Sequence, residues 1–584
     1  MKSKVLQILS LLLVVALFSS CGSVANCPTC GTTKNGSFAI INIIPVPQHN
    51  PTGEPGGPFN SFDISWMDPV NHKYYVSDRI GLAVVVVDTT TNIAINTIGG
   101  ANAVTQAGNN ASQCFIPPPP APQVSPIPPM LDNAGAFTRF GCRTGTFSLP
   151  GFGANGLFGG FPGAQCCAAR ANGVNPLSAP DGQMATADGK TLFVANSSSS
   201  VVVFDLTTNP PTVIATIPTG QSPTWDGPNG VGPCITSANG RAFSDSTCGD
   251  LRADEMSYDE KDKILLVTNG DPGLPFATLI DMSAVVARTG NCLPVNPGLP
   301  YGPTNFPTCI LGQIYYDGAP VSNSNVSVDS VALPANPVGT VQAPCPDPST
   351  AAPSGVSGTG VGAGGKNVPC HHGPIVTAAG VFCNQVSPAG NCAGAISPAG
   401  IGGSAFNPNT GHFLLTNANA TGDLTIGTVD EIDPRIGNPN GPVVINTFVV
   451  PNCMPSGIVQ GPGNNFLVGC ANHDGVTFPP NEYVINGTTG AILANIPYVG
   501  GVDQVWFNPG DHTYYVAARD MPTGPVMGAI DANTNLWLSN SPTNANSHSI
   551  AVDPVTNHIF VPMQSGGPCG TQSSNGCIGV FARQ

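Results

Sequence analysis

The 584-residue sequence predicts an all-β fold, a seven-bladed β-propeller. Three observations carry the prediction. The composition favours short strands and tight turns. One strand–turn phrase recurs seven times along the chain. The two chain ends also read as the missing halves of a single unit.

Composition comes first. Gly (71) and Pro (60) together outnumber what helices tolerate, and only 9% of residues are charged. Few Glu and Lys remain to sustain helices, whereas Val, Ile, Thr and Asn suit strands joined by turns. With 41% apolar residues, the chain has enough material for a large core. The net charge is −15 and no basic stripe interrupts it. Nucleic acid is therefore excluded as a partner, since phosphate recognition needs clustered Lys and Arg.

The recurring phrase is clearest in its second strand. It reads KYYVSD (73–78), TLFVAN (191–196), ILLVTN (264–269), HFLLTN (412–417), NFLVGC (465–470), TYYVAA (513–518) and HIFVPM (558–563). A turn precedes each copy, such as DPVNH, TADGK or NPGDH. In several copies an apolar run ending in Asp follows, as in the runs to Asp88, Asp205 and Asp281, and a last strand closes the unit. Four short strands repeated around a ring make a propeller. Runs such as Val84–Val87 do not alternate, as expected of strands covered on both faces.

The units at 64–100 and 182–220 resemble the YVTN β-propeller repeat, named for a second strand that ends as FVAN (193–196) and LVTN (266–269) do here. That resemblance implies the fold. It also implies an extracytoplasmic protein of the kind rarely assigned chemistry.

The ends complete the ring. CIGVFARQ (577–584) reads as a third strand without a fourth, and SFAIINIIPVP (37–47) reads as a fourth strand without a unit. Pairing the two closes the circle and removes exposed sheet edges. The propeller is therefore expected over 37–584. Insertions are expected at about 101–178, 221–250 and 290–400, each between a fourth strand and the next first strand, on one face. They carry the proline run CFIPPPPAPQVSPIPPM and the glycine-rich GVSGTGVGAGGK.

The opening MKSKVLQILSLLLVVALFSSCGS has a basic start, a short apolar stretch and small residues before Cys21. It reads as a secretory signal (1–20), and LFSSC resembles the bacterial lipoprotein signal, although Phe18 stands where Leu is usual. Cys21 is then the lipidated residue, 21–36 a linker, and the protein is exported and anchored to a membrane of the cell envelope by lipid alone. The other 18 cysteines fall in even local groups: 27/30; 114/142/166/167; 234/248; 292/309/345/370/383/392; 453/470; and 569/577. An oxidising compartment accounts for them, without fixing the pairing within groups.

Counting thirteen residues back from the aligned second-strand position gives Asp63, Asp181, Asp254, Gly402, Pro455, Asp503 and His548. First strands line the channel, so this set should ring its mouth on the insert-bearing face. The four carboxylates and the imidazole are candidate ligands for Ca²⁺ or another hard cation. Acid–base work and local capping of backbone N–H groups stay open for the same residues. His72, His412, His512 and His558 recur at the first turn on the opposite face and read as structural. In PCHHGP, His371 and His372 lie beside Cys370, whose disulfide role competes with metal binding. CPTC (27–30) reads as a tether disulfide. CxxCH, GxSxG, HExxH and P-loop motifs are absent from the sequence.

Two functions follow. One is a lipid-anchored extracytoplasmic binding or scaffold protein that is not an enzyme, with a protein, glycan or small ligand on the insert-bearing face. The other is a metal-dependent hydrolase or lactonase, by fold-level analogy with gluconolactonase-like propellers.

Overall fold

A computed structural model describes residues 36–46, 59, 61–79, 83–99, 180–196, 200–219, 253–270, 275–290, 292, 307–316, 400–418, 426–437, 441–471, 479–572 and 576–584. It also describes short segments at 326–328, 359–361, 367–369, 375–377 and 380–383. Seven antiparallel sheets follow one another. Blade 1 runs from Phe62 to Gly99, blade 2 from Pro180 to Pro218, and blade 3 from Met256 to Tyr315. Blades 4, 5 and 6 span 401–451, 455–496 and 502–542. In blade 7 the strands Ala551–Val552, Ile559–Met563 and Cys577–Arg583 are completed by Phe38–Pro45.

The closing pair runs antiparallel from Phe38 opposite Arg583 to Pro45 opposite Cys577. Gln584 N–H donates to Ser37 O at 2.9 Å, and the Phe38 ring meets Tyr515 of blade 6 edge-on at 5.6 Å. The first and last strands of the described propeller are thus one sheet.

Packing explains the non-alternating runs. Val84 and Val86 pack against Leu192, Val194 and Phe204 of blade 2. Val85 and Val87, pointing the other way, pack against Phe560 and Ile578 of blade 7. Each of the seven junctions has its own apolar cluster of this kind. Fully burying a Val or Phe contributes ~1.5–3 kcal/mol relative to exposure, so the junctions carry most of the favourable energy.

Turn chemistry sets the repeat. The turn between first and second strands holds one left-handed residue in every blade: His72, Gly189, Lys263, Gly411, Gly463, His512 and Asn557. The recurrent histidines therefore belong to a backbone habit. The third strand ends in an Asp whose side chain caps the next turn: Asp88 Oδ1 accepts from Thr90 N and Thr91 N at 3.0 and 3.1 Å. Asp531 does the same with Asn533 N and Thr534 N. This is the Asx turn, in which the carboxylate imitates a backbone acceptor.

Strand direction places the starts of all first strands at one end of the ring, together with the second-to-third loops. The expected insertions at 101–178 and 221–250 lie outside the described residues. The span 290–400 is not a single insertion. It contains the fourth strand of blade 3, Ile310–Tyr315, preceded by a loop that Cys292–Cys309 closes. Beyond that strand, backbone pairing continues through 375–377, 380–383 and 326–328. Cys453–Cys470 and Cys569–Cys577 brace the end where first strands begin, and Cys292–Cys309 braces the other. Pairings expected for Cys27 with Cys30, within 114–167 and for Cys234 with Cys248 lie outside the described residues, as do the PCHHGP histidines.

One buried acid stands at the junction of blades 3 and 4. Asp430 has no exposure, accepts from Thr447 Oγ1 at 2.8 Å and neighbours the buried Tyr316. Burial pushes its carboxyl up to about 7, with the hydroxyls of Thr447 and Tyr316 working against the rise. The folded chain therefore holds a proton there that the unfolded chain has lost above about pH 4. Stability is fully present below that pH and falls as pH rises towards 7. The loss is on the order of 4 kcal/mol, three pKa steps of about 1.4 each. Asp430→Asn should flatten this slope. Urea midpoints measured from pH 4 to 8 check it, and a variant with the wild-type slope would assign the dependence elsewhere.

Candidate functional site at the channel mouth

The first strands of blades 1, 2, 4, 5 and 6 share an irregularity at their beginning. Register slips between Phe62 and Ser65, Pro180 and Gln183, Ile401 and Ser404, Pro455 and Ile458, and Val502 and Val505. Bulges re-aim side chains and end pairing. Here they hold Asp63, Asp181, Gly402 and Asp503 at the hub. Blade 5 departs from the expected count: its first and second strands are one residue closer in sequence, so Ser456, rather than Pro455, occupies the bulge. Its Oγ donates to Val502 O at 2.6 Å and sits 3.1 Å from Asp503 O.

Three of the predicted acids come together. Carboxylate oxygens of Asp63, Asp181 and Asp254 lie within 4.8 Å of one another. Asp63 and Asp181 are buried and Asp254 is partly exposed. Their proximity is possible because blades 2 and 3 almost touch at the axis: a Cβ on Gly182 would stand 2.1 Å from Asp254 O. The site also contains a cation the sequence reading did not single out. Arg79, itself buried, pairs with Asp63 through Nη2 and with Asp181 through Nε, the latter at 2.5 Å. Three carboxylates and one guanidinium leave the cluster acidic.

His548 joins from blade 7. Its Nε2 is 3.5 Å from Asp63 Oδ1, and its ring stacks on Phe62 at 5.1 Å. Nδ1 lies 2.6 Å from Asn546 O, a contact that requires the proton on Nδ1. Burial, with help from Arg519 and Arg79, pushes the imidazole down to about 4, so it is neutral at pH 7. Asp503 stays apart from the carboxylate cluster and pairs with Arg519 at 3.2 Å. Gly402 offers no side chain.

Both arginines were legible in one respect. Arg79 follows Asp63 by sixteen positions, as Arg519 follows Asp503, each just past the second strand. The repeat register therefore pairs them, although only a folded blade brings position sixteen back beside the first.

Beneath the mouth, polar contacts join the first strands of blades 6, 7, 1 and 2. Ser549 Oγ donates to Gln504 Oε1 at 2.7 Å, Gln504 Nε2 donates to Ser65 O at 3.0 Å, and Ser549 lies 2.8 Å from Ser65 Oγ. Gln183 Nε2 donates to Ile64 O and to Tyr75 O. Farther along, Trp66 and Trp506 meet edge-on at 5.1 Å. The mouth is a socket with a hydrogen-bonded floor.

Fold and hub define a closed seven-bladed propeller with a charged socket at one end of its axis. No family model matches the chain, and no curated protein matches it. Among solved structures, a chain of the mitotic checkpoint complex aligns over 96% of this chain and 95% of its own, at 8% identity and TM-score 0.41. Hydrazine synthase from Kuenenia stuttgartiensis aligns over 91% and 97%, at 12% identity and TM-score 0.43. Neither likeness bears on activity.

Arg79→Met should cost ~3–5 kcal/mol at pH 7, the range for removing one partner of a buried ion pair. Urea denaturation at pH 7 measures it, and a cost under about 1 kcal/mol, as for an exposed pair, would deny that the pairing is buried.

Proposed function

We propose that the chain is an exported, lipid-anchored propeller of the YVTN type that acts as a binding or scaffold protein and catalyses no reaction. Its ligand, a protein, glycan or small molecule, sits at the end where the first strands begin. The supporting observation is the socket itself. Bulges hold Asp63 and Asp181 there, Arg79 pairs with both, and Asp254 and His548 stand beside them. The long connections at 100–179 and 220–252 enter the blades at the same end. Long connections joined to a rigid scaffold are where recognition usually resides. Three disulfides suit an oxidising compartment, and Cys21 in LFSSC supplies the anchor.

A second reading, a divalent cation at the mouth serving a hydrolase or lactonase-like reaction, draws on the three clustered carboxylates. Ca²⁺ takes six to eight oxygens. Asp63, Asp181 and Asp254 would supply part of that set, with Asp503 and His548 flanking. Arg79 already pairs with two of these carboxylates, so a cation must compete with it.

Calorimetry with Ca²⁺ on the full chain separates the readings. The binding-protein reading expects no heat from wild type and a gain of binding in Arg79→Ala. The metal reading expects wild-type binding that Asp63→Ala with Asp181→Ala abolishes. Cys21→Ser should move the protein from the membrane to the soluble fraction, and retention in the membrane would overturn the lipid anchor.

A further inference from the structure

Propellers present their fourth strands to the outside, and these perimeter strands are unequal here. Of the twelve exposed large hydrophobic side chains among the described residues, eight lie on four neighbouring perimeter segments, those of blades 5, 6, 7 and 1. Tyr498, Leu536 and Trp537 are 58%, 61% and 38% exposed, and Ile492 and Leu493 are exposed beside them in sequence. On the far side of the N-terminal strand, Ile93 and Ile95 of blade 1 are more than half exposed, and Ile41 lies on the N-terminal strand itself. The remaining four are scattered at Val70, Val213, Ile436 and Val555.

The aromatic pair is built rather than loose. Tyr498 and Trp537 rings stand 5.2 Å apart. Asn540 fixes both ends: it accepts from Trp537 Nε1 at 3.0 Å and donates to Tyr498 O at 2.9 Å. The Trp537 N–H is satisfied and the Tyr498 backbone is held, so two wide amphipathic rings stand outward, the pairing of an apolar body with a wet edge that suits a lipid headgroup boundary.

The patch is centred where the anchored end of the chain arrives. Gly36 O accepts from Ser539 Oγ, two residues from Trp537 and on the other side of the same strand. A Cβ on Gly36 would stand 2.7 Å from Leu538 Cβ. Cys21 precedes Gly36 by fifteen positions, and a chain of that length spans at most ~50 Å. The four perimeter strands 38–45, 93–99, 492–496 and 536–542 contain no Asp, Glu, Lys or Arg. The strands themselves bring no charge to the headgroups, and the nearest acids, Asp88 and Asp531, lie at their ends opposite Ile93 and Leu536.

We infer that the perimeter at blades 5 and 6, beside the arriving N-terminal strand, is the membrane-facing side of the protein, and that Tyr498 and Trp537 seat it on the phospholipid surface. The inference rests on the lipid-anchor reading, because the anchor's point of arrival selects this edge. A single acyl group holds weakly, so a second contact is what stable anchoring requires. Seated by its rim, the ring keeps both ends of its axis in water and leaves the charged socket accessible from the side.

The test uses the full, lipidated chain in phosphatidylcholine vesicles with plain or brominated acyl chains. The emission of Trp537 is taken as wild type minus Trp537→Phe. It should fall at least twofold in brominated vesicles. Unchanged Trp537 emission, with Cys21→Ser released from membranes, overturns the docking edge and leaves the anchor standing. If Cys21→Ser stays on membranes, Tyr498→Ser with Trp537→Ser decides: release supports the edge without the lipid, and retention overturns it. Sedimentation of the detergent-solubilised chain covers the other occupant. A dimer that this double variant dissociates would assign the patch to a second copy and overturn the lipid surface.

Discussion

Everything in this molecule depends on covering both faces of every blade. A four-stranded sheet with Val, Ile and Phe on both sides cannot stand alone in water. Each sheet is stable only between two others, and a row of such sheets has no end until it becomes a circle. The seven apolar junctions are therefore one cooperative condition. The pairing of Phe38–Pro45 with Cys577–Arg583 joins the first and last parts of the chain in one sheet and satisfies that condition.

Closure has a chemical consequence at the axis. Seven first strands converge where little space is left, and the backbone approaches so closely that Gly182 has no room for a side chain. The repeated bulge turns the residues at this point away from the ladder. Acids placed there are crowded and partly desolvated. Arg79 offsets part of their mutual repulsion by pairing with two of them, and a neutral His548 completes the wall. The resulting socket is fixed by the ring's own geometry.

The perimeter shows the opposite economy. Outer strands have a free face, and among the described residues of blades 2, 3 and 4 Val213 is the one large apolar group exposed on it. Where blades 5, 6, 7 and 1 meet the N-terminal strand there are eight. Axis and rim thus divide the molecule into a polar site and an apolar edge, at right angles to one another.

The fold was legible because propeller blades are local objects. A turn that needs a left-handed residue and a strand buried on both faces leave marks within forty residues of sequence in every blade, and an Asp that caps the next turn does so in most of them. Even the closing strand was visible, since a lone fourth strand and a blade lacking one can only belong together. The meeting of Asp63, Asp181 and Asp254 followed from the same register. The bridge from Arg79 to Asp181 of the next blade, the shift to Ser456, the fourth strand at Ile310–Tyr315 and the Trp66–Trp506 contact did not. Each depends on how far one blade leans on another, on a loop one residue shorter, or on a disulfide that returns the chain to its sheet. The sequence by itself determined the number and kind of blades, because those are set by short-range periodicity. Only the tertiary structure decided which charges meet at the axis and which apolar groups stay outside, because both are fixed by distances between segments far apart in the chain.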